Sequence, residues 1–380
     1  MNFDYNEEQQ LLADSIRRFI AKGYDFEARK KIVASKEGSS AQVWATFAEI
    51  GLLGIPFAAE QGGFGGGAID LMSAMEAIGE GLVVEPFLPA VGLGAQFVAR
   101  GGSEAQKKAI LPAVIEGKLK MAFAHTEDGA RYDLAHVAAG AKKAGKVWVI
   151  DGEKRVVLGA PLADKLVVSA RTSGKPADAK GISLFLVDRA AAGVSLRPYL
   201  TLDETRAADV LFKGVEVGAD ALIGKEGEAL VLIEEVVDFA TALTCAESIG
   251  VMKQANDATL EYLKTRKQFG VPIGTFQALQ HRMVDMVIAA EQARSMAFLA
   301  CAKVDGETNP AERKRLVSAA KVKIADACRH VSQEAIQLHG GMGMTEELEV
   351  SHSFRRLTVI AQQFGDAEHH LERFAALDRS

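Results

Sequence analysis

The chain has 380 residues, 48% of them hydrophobic, with a mean hydropathy of +0.07, a net charge of −6 and a pI near 5.8. That length suffices for two or three structural units around a large core, and the lack of a basic stripe argues against nucleic acid as a partner. The opening octapeptide M-N-F-D-Y-N-E-E is unlike a secretory leader, no apolar run reaches the ~18 residues needed to span a bilayer, and Cys245, Cys301 and Cys328 lack C-x-x-C spacing, so a cytoplasmic chain with reduced, buried thiols is expected.

Leu11, Leu12, Ile16, Phe19 and Ile20 recur at helical spacing and predict a first helix. Residues 41–55 and 69–81 repeat the pattern, separated by the helix-breaking G-G-F-G-G-G of 62–67. A further helix is expected over 103–117, ending at Gly117. From about residue 120 short β-branched runs take over: V-W-V-I (147–150), R-V-V-L (155–158), K-L-V-V-S-A (165–170) and I-S-L-F-L-V (182–187). Turn residues such as Asp151-Gly152 and Gly174 separate them, which predicts an antiparallel sheet reaching to about 222. After Gly227 four long helices are expected, over 228–264, 276–303, 311–338 and 366–378. Several are apolar over more than half their circumference, as in a bundle or a subunit interface. The expected fold class is α+β and mostly helical, with a helical domain over 1–119, a β domain over 120–222 and a four-helix domain over 223–380.

Four stretches carry a resemblance. They are G-I-P-F-A-A-E-Q-G-G-F-G (54–65), G-S-E-A-Q-K-K-A-I-L-P-A-V-I-E-G (102–117), R-K-Q-F-G-V-P-I-G-T-F-Q-A-L-Q-H-R-M-V-D-M (266–286) and Q-L-H-G-G-M-G-M (337–344). In this order, and over nearly the whole chain, they resemble the acyl-CoA dehydrogenase family; the texture around R-Y-D-L-A (131–135) resembles its pimeloyl-CoA dehydrogenase small-subunit branch. The resemblance implies that family's fold, an FAD cofactor, and α,β-desaturation of an acyl-CoA thioester in fatty or dicarboxylic acid degradation. The implied cofactor-binding set is Arg266, Gln268, Phe269, Ile273, Gln277, Gln337, Leu338 and Gly341, directed at the ADP half of a neighbouring subunit's FAD. Arg266 offers a planar, permanently charged fork for pyrophosphate, Phe269 packs on the adenine side, Gln277 adds hydrogen bonds, and paired glycines admit close backbone approach. Structural alternatives stand beside these readings: Arg266 also suits a helix C-terminus, Gly340 and Gly341 also suit a helix cap, and His339 is expected to be structural.

The chain departs from the family where proton and hydride move. The family's base is usually a Glu before the glycine of a Y-E-G-T turn; here Q-F-G-D (363–366) puts Phe364 at that position and Asp366 at the threonine. The alternative base position, on the helix after the sheet, is Ala240, with Thr241 in place of the neighbouring arginine. A missing general base costs ~10²–10⁴-fold in rate. In the sheet, Tyr132 replaces the serine of the family's T-E-P-x-x-G-S-D. Val156 and Leu158 replace the tryptophan and threonine of W-I-T-N, and Leu158 cannot hydrogen-bond flavin N5. Thr126 and Glu127 remain, as pocket residues or as an ordinary strand-end turn.

Groups serving the chain's own site are thus degraded, while those used on a neighbour's FAD are intact. The expectation is a chain without catalytic or metal-ligating residues that serves in a heterotetramer as partner of a homologous catalytic subunit. The further partners implied are acyl-CoA and electron-transferring flavoprotein. Two alternatives remain: a self-sufficient enzyme with a relocated base, Glu247 or Asp366, and a flavin-free acyl-CoA-binding scaffold. Glu247, alone on an apolar helix, requires a partner, and an intersubunit salt bridge is the expected one. Glu368 suits a helix N-terminus. Arg355 and Arg356 are expected at the surface, the other reading being a distal substrate carboxylate. His369-His370 point apart on a helix and make no metal site.

Overall fold

Asn6 opens the first helix: its side chain accepts from Gln9 N (2.8 Å) while the Gln9 side chain accepts from Asn6 N (3.0 Å), a capping box. The computed structural model describes residues 4–378. The early helices are α1 (Glu7–Gly23), α2 (Phe26–Ala34), α3 (Ala41–Glu49), α4 (Ala68–Glu80), α5 (Ala95–Gly101) and α6 (Glu104–Ile115). Ser40 caps α3, and Ser103 with Gln106 forms a second capping box on α6. A π-helical turn, Leu88–Gly94, leads into α5.

The strands are β1 (Met121–Ala124), β2 (Gly140–Ala144), β3 (Val147–Leu158), β4 (Lys165–Arg171), β5 (Ile182–Asp188), β6 (Val194–Leu200), β7 (Arg206–Gly218) and β8 (Leu222–Ile223). They run in the order β6-β7-β3-β2-β4-β5-β8, with β1 also on β4. Trp148, Ile150, Val168, Phe185, Val210 and Phe212 fill the core beneath. The expectation of a purely antiparallel sheet is corrected: β1 pairs with β4 in parallel, and β2 meets β4 in parallel at Gly140 and Arg171. The amides of Asp164 and Lys165 both donate to Lys120 O (2.8 and 3.3 Å), so β1 and β4 start side by side although the β2–β3 hairpin separates them in sequence.

The C-terminal segment holds α7 (Leu230–Thr265), the short pair β9 (Lys267–Gln268) and β10 (Val271–Pro272), α8 (Gln277–Gly306), α9 (Pro310–His339), α10 (Glu349–Gln362) and α11 (Ala367–Asp378). Helix α10 is absent from the four expected there. It buries Ser351, His352 and Ser353 beside Val350, Leu357 and Ile360, and the two serine hydroxyls return to Leu348 O and Glu349 O, so polar residues interrupt its apolar face. The three cysteines are buried free thiols, as expected. Among the described residues no helix is long and apolar enough to cross a membrane.

Chain contacts gather into two compact units. The first takes residues 4–31, 67–83 and 241–378, the second 32–66 and 84–240. In the first, α4 and α7 touch backbone to backbone: a Cβ on Gly79 would lie 2.1 Å from Glu247 O, and one on Gly250 would lie 1.9 Å from Glu76 O. In the second, a buried network joins Lys154, Glu127, Ser169 and His125. The Lys154 ammonium donates to Glu127 Oε1 (2.6 Å), Ser169 Oγ (2.9 Å) and His125 O (3.2 Å). Burial, reinforced by the Lys154 charge, pushes the His125 imidazole down to about 3. Burial and the Lys321 charge push His370, in the first unit, down to about 2.

Both histidines therefore stay neutral in the folded chain while the unfolded chain protonates them near 6.5. The unfolded state binds the extra protons below that value, so stability falls as pH drops from about 6.5 toward 3, by at most about 1.4 kcal/mol per pH unit for each histidine. Urea unfolding at pH 7.5 and pH 5 is expected to show this loss, and His125→Leu to flatten the slope. An unchanged slope in the variant would contradict the assignment.

Candidate functional site

Helix α7 ends at Thr265, and the chain reverses at once. Arg266 N donates to Tyr262 O, and Ile273 N to Arg266 O (both 2.8 Å), closing the β9–β10 hairpin around a two-residue turn. Phe269 (φ +53°) and Gly270 (φ +83°) form that turn, and both positive φ values match a type I′ turn. The position suits glycine at Gly270 and is costly for Phe269, roughly 1–3 kcal/mol. Phe269 is nonetheless 92% exposed, touching Phe276 edge-on at 6.2 Å. Arg266 is also exposed, and among the described residues its guanidinium makes no ion pair or side-chain hydrogen bond. Gln268 donates to Lys267 O (2.7 Å), Ile273 is half-buried at the start of a 3₁₀ turn, and Gln277 is exposed as the first residue of α8.

Helix α9 ends beside this hairpin. The His339 ring stacks on Tyr262 at 4.4 Å and 29°, and its Nδ1 bonds Ala335 O at 2.8 Å. This is the structural role expected of His339. The stack joins the ends of α7 and α9, so the two motifs converge from residues more than seventy positions apart in sequence. Gln337 is exposed and Leu338 is buried, which leaves Leu338 its backbone rather than its side chain to offer a ligand. Gly340 turns the chain with φ +60°, and a Cβ on Gly340 or Gly341 would meet nothing within 4 Å, so the backbone there lies open.

The candidate bases fare differently. Glu247 is buried and paired within the chain, which corrects the expected intersubunit bridge: Arg356 Nε and Nη2 reach its two carboxylate oxygens, each at 2.6 Å. Arg356 is correspondingly a half-buried clamp, not a free surface cation, its side chain 14% exposed. Asp366 caps α11, accepting from His369 N at 2.8 Å, and Glu368 is exposed in the first turn of that helix. Phe364 is half-buried at φ +60°, and its carbonyl bonds His370 Nε2 at 3.1 Å. Lys321, fully buried on α9, holds this turn by donating to Ile360 O (2.9 Å), Ala361 O (3.2 Å) and Gly365 O (2.8 Å), and burial lowers its pKa. Ala240 and Thr241 are buried and carry no ionisable group.

In the sheet, Glu127 is consumed by Lys154 and by the amides of Ala138 (2.7 Å) and Ala139 (3.0 Å), so it serves the fold. Thr126 is exposed and accepts from Arg155 N through its carbonyl. Val156 is 50% exposed at φ +49° in a bulge of β3, its amide donating to Asp209 Oδ1 (3.2 Å). Asp209 also accepts from Arg155, Arg197 and Tyr199, and these donors hold its carboxyl well below the usual range despite the opposing effect of burial. Lys154, Asp209 and Lys321 are charged residues that the sequence reading passed over; Lys321 had left one trace, a lysine at helical spacing among alanines and valines.

Three family models match the chain in succession: the acyl-CoA dehydrogenase N-terminal domain over 6–118, the middle domain over 122–215 and the C-terminal domain over 230–376. The chain is 31% identical over 361 residues to the probable acyl-CoA dehydrogenase YngJ of Bacillus subtilis, covering 93% of each sequence. The chain belongs to the acyl-CoA dehydrogenase family. Its fold is the acyl-CoA dehydrogenase fold, with an N-terminal helical domain, a middle β domain and a C-terminal helical bundle. It resembles a solved variant of the Tcur3481–Tcur3483 steroid ACAD at 28% identity and a TM-score of 0.87, over 98% of each chain. It resembles PigA with FAD and proline at 26% identity and a TM-score of 0.90, over 99% of this chain and 98% of that one. Acyl-CoA dehydrogenase family members bind FAD. An unpaired guanidinium, an exposed aromatic ring and open glycine backbone fit the adenine and pyrophosphate end of that cofactor. Val156 and Leu158 offer no polar side-chain group to a flavin ring.

Proposed function

We propose that this chain is the non-catalytic partner of a heteromeric acyl-CoA dehydrogenase, supplying the ADP-side half of an FAD site shared with a homologous catalytic subunit. The observation that carries the reading is the exposed tip of the Arg266–Ile273 hairpin: a cation without a partner and a strained aromatic ring almost wholly in solvent. Neither stabilises the chain's own fold, so both are kept for something bound outside it. The base positions support the same reading, since Phe364 and Ala240 cannot take a proton, while Glu247 and Asp366 are engaged elsewhere. The solved relative named for two components, Tcur3481–Tcur3483, supports a paired assembly. Bound FAD would supply the acceptor for the hydride from the acyl β-carbon. This chain's part is to hold the far end of the cofactor through Arg266, Gln268, Phe269, Ile273, Gln277, Gln337, Leu338 and Gly341. The substrate is an acyl-CoA, the electron acceptor electron-transferring flavoprotein, and the compartment the cytoplasm.

The test is flavin counted per chain, for this chain purified alone and co-expressed with a homologue that has the catalytic Glu. The expected result is a colourless chain alone and about one FAD per pair together. Arg266→Ala in the pair is expected to weaken FAD retention about 10- to 100-fold, the loss of one bidentate charge-assisted contact of roughly 1.5–3 kcal/mol. A fully yellow chain alone that is bleached by an acyl-CoA would overturn the reading. Unchanged flavin content with Arg266→Ala would favour the flavin-free scaffold.

A further inference from the structure

The turn after α9 carries two thioethers. Met344 is 72% exposed and Met342 39%, whereas Met72, Met75, Met252 and Met286 are wholly buried. Their placement follows from the backbone. A Cβ on Gly343 would strike Ile336 O at 2.8 Å and His339 Cβ at 3.0 Å, so this glycine lies flat against the end of α9. Thr345 fixes the far side, its amide and hydroxyl both donating to Met342 O (3.1 and 2.9 Å). With its middle residue pinned, the turn leaves both side chains exposed. The open backbone of Gly341 lies immediately before them.

We propose that Met342 and Met344 form a peroxide-sensitive modification site that switches off the FAD half-site. The proposal rests on the shared-site reading above. In the step, a hydroperoxide transfers one oxygen atom to each thioether sulfur. The O–O bond breaks, an S–O bond forms, sulfur is oxidised by two electrons, and the peroxide leaves as water or an alcohol. The product replaces a flexible apolar side chain by a polar, chiral sulfoxide, which methionine sulfoxide reductases reverse. The new oxygen places a polar acceptor beside the open backbone of Gly341, so it changes the surface proposed to meet the nucleotide. Oxidation acts on the unassembled chain, where both sulfurs face solvent.

The experiment treats the purified chain with a modest excess of hydrogen peroxide. Sulfoxide is quantified at each methionine by peptide mass spectrometry, and FAD is titrated before and after by flavin fluorescence anisotropy with the homologous catalytic subunit added. Met342 and Met344 are expected to oxidise well before the four wholly buried methionines. FAD affinity is then expected to fall about tenfold or more, to return after sulfoxide reductase treatment, and to stop responding to peroxide in the Met342→Leu, Met344→Leu double variant. Equal oxidation of buried and exposed methionines overturns the proposal. So does selective oxidation with undiminished FAD affinity, which leaves the shared-site reading standing. A chain that retains no FAD before oxidation, at any protein concentration or in complex with its homologue, overturns that reading and the switch with it.

Discussion

Arg356→Ala is expected to destabilise the chain by about 3–5 kcal/mol, because it strands the buried Glu247 carboxylate without its cation. Removing one partner of a buried pair costs more than removing both, since the survivor keeps its desolvation penalty and loses its compensation. The double variant Glu247→Leu, Arg356→Met is therefore expected to be more stable than Arg356→Ala alone. Urea unfolding at neutral pH measures all three, and a double variant as unstable as the single one would contradict the argument. The same pair bears on catalysis. A carboxylate whose two oxygens are both engaged by a guanidinium has neither oxygen free to meet a substrate, so Glu247→Gln is expected to leave turnover of the assembled enzyme unchanged. Abolished turnover with FAD content intact would make Glu247 a base after all.

Gly250→Ala is expected to be more damaging than its single added methyl suggests. The new Cβ would lie 1.9 Å from Glu76 O and 2.7 Å from Glu80 N, both main-chain atoms of α4. Backbone cannot rotate aside as a side chain does, so α4 and α7 must separate. Separation would also open the reciprocal contact, where Gly79 meets Glu247 O and Val251 N. Overpacking against movable side chains costs about 1–3 kcal/mol; this contact is expected to exceed that range, and Gly250→Leu to yield no folded protein. Gly23→Ala at the end of α1, where a Cβ meets nothing within 4 Å, provides the control and is expected to change stability by less than about 1 kcal/mol. Thermal unfolding of the two alanine variants side by side decides the matter, and equal melting temperatures would refute it.

What the sequence made legible follows from how locally each feature is written. Long helices α7, α8 and α9 show as long stretches rich in Ala, Leu, Met and Val, and the hairpin and glycine turns of the candidate site show as contiguous motifs. Helix α10 did not show, because Ser351, His352 and Ser353, satisfied by hydrogen bonds, interrupt the apolar face made by Val350, Leu357 and Ile360. The parallel pairing of β1 with β4 joins residues about forty apart through a contact that no alternation pattern encodes. Arg356 and Lys321 look like surface cations until their partners, 109 and 44 positions away, are known. The convergence of Arg266 with Gly341 depends on the Tyr262–His339 stack, and neither ring belongs to a phosphate-binding pattern.

The interrupted course of the first unit has a consequence for synthesis. Helices α1 and α4 leave the ribosome early, but the stretch that completes their unit starts only at residue 241, within α7. Residues 32–66 and 84–240 are, by contrast, all translated before α8 exists, so the second unit has its full set of strands while the first still lacks most of its helices. At about 5–20 residues per second, residues 241–380 take roughly 7–28 seconds to make, and until α7 and α8 emerge α4 is covered by α1 but not by them. Nascent chains stalled short of residue 306, where α8 ends, are thus the form of this protein most in need of a chaperone.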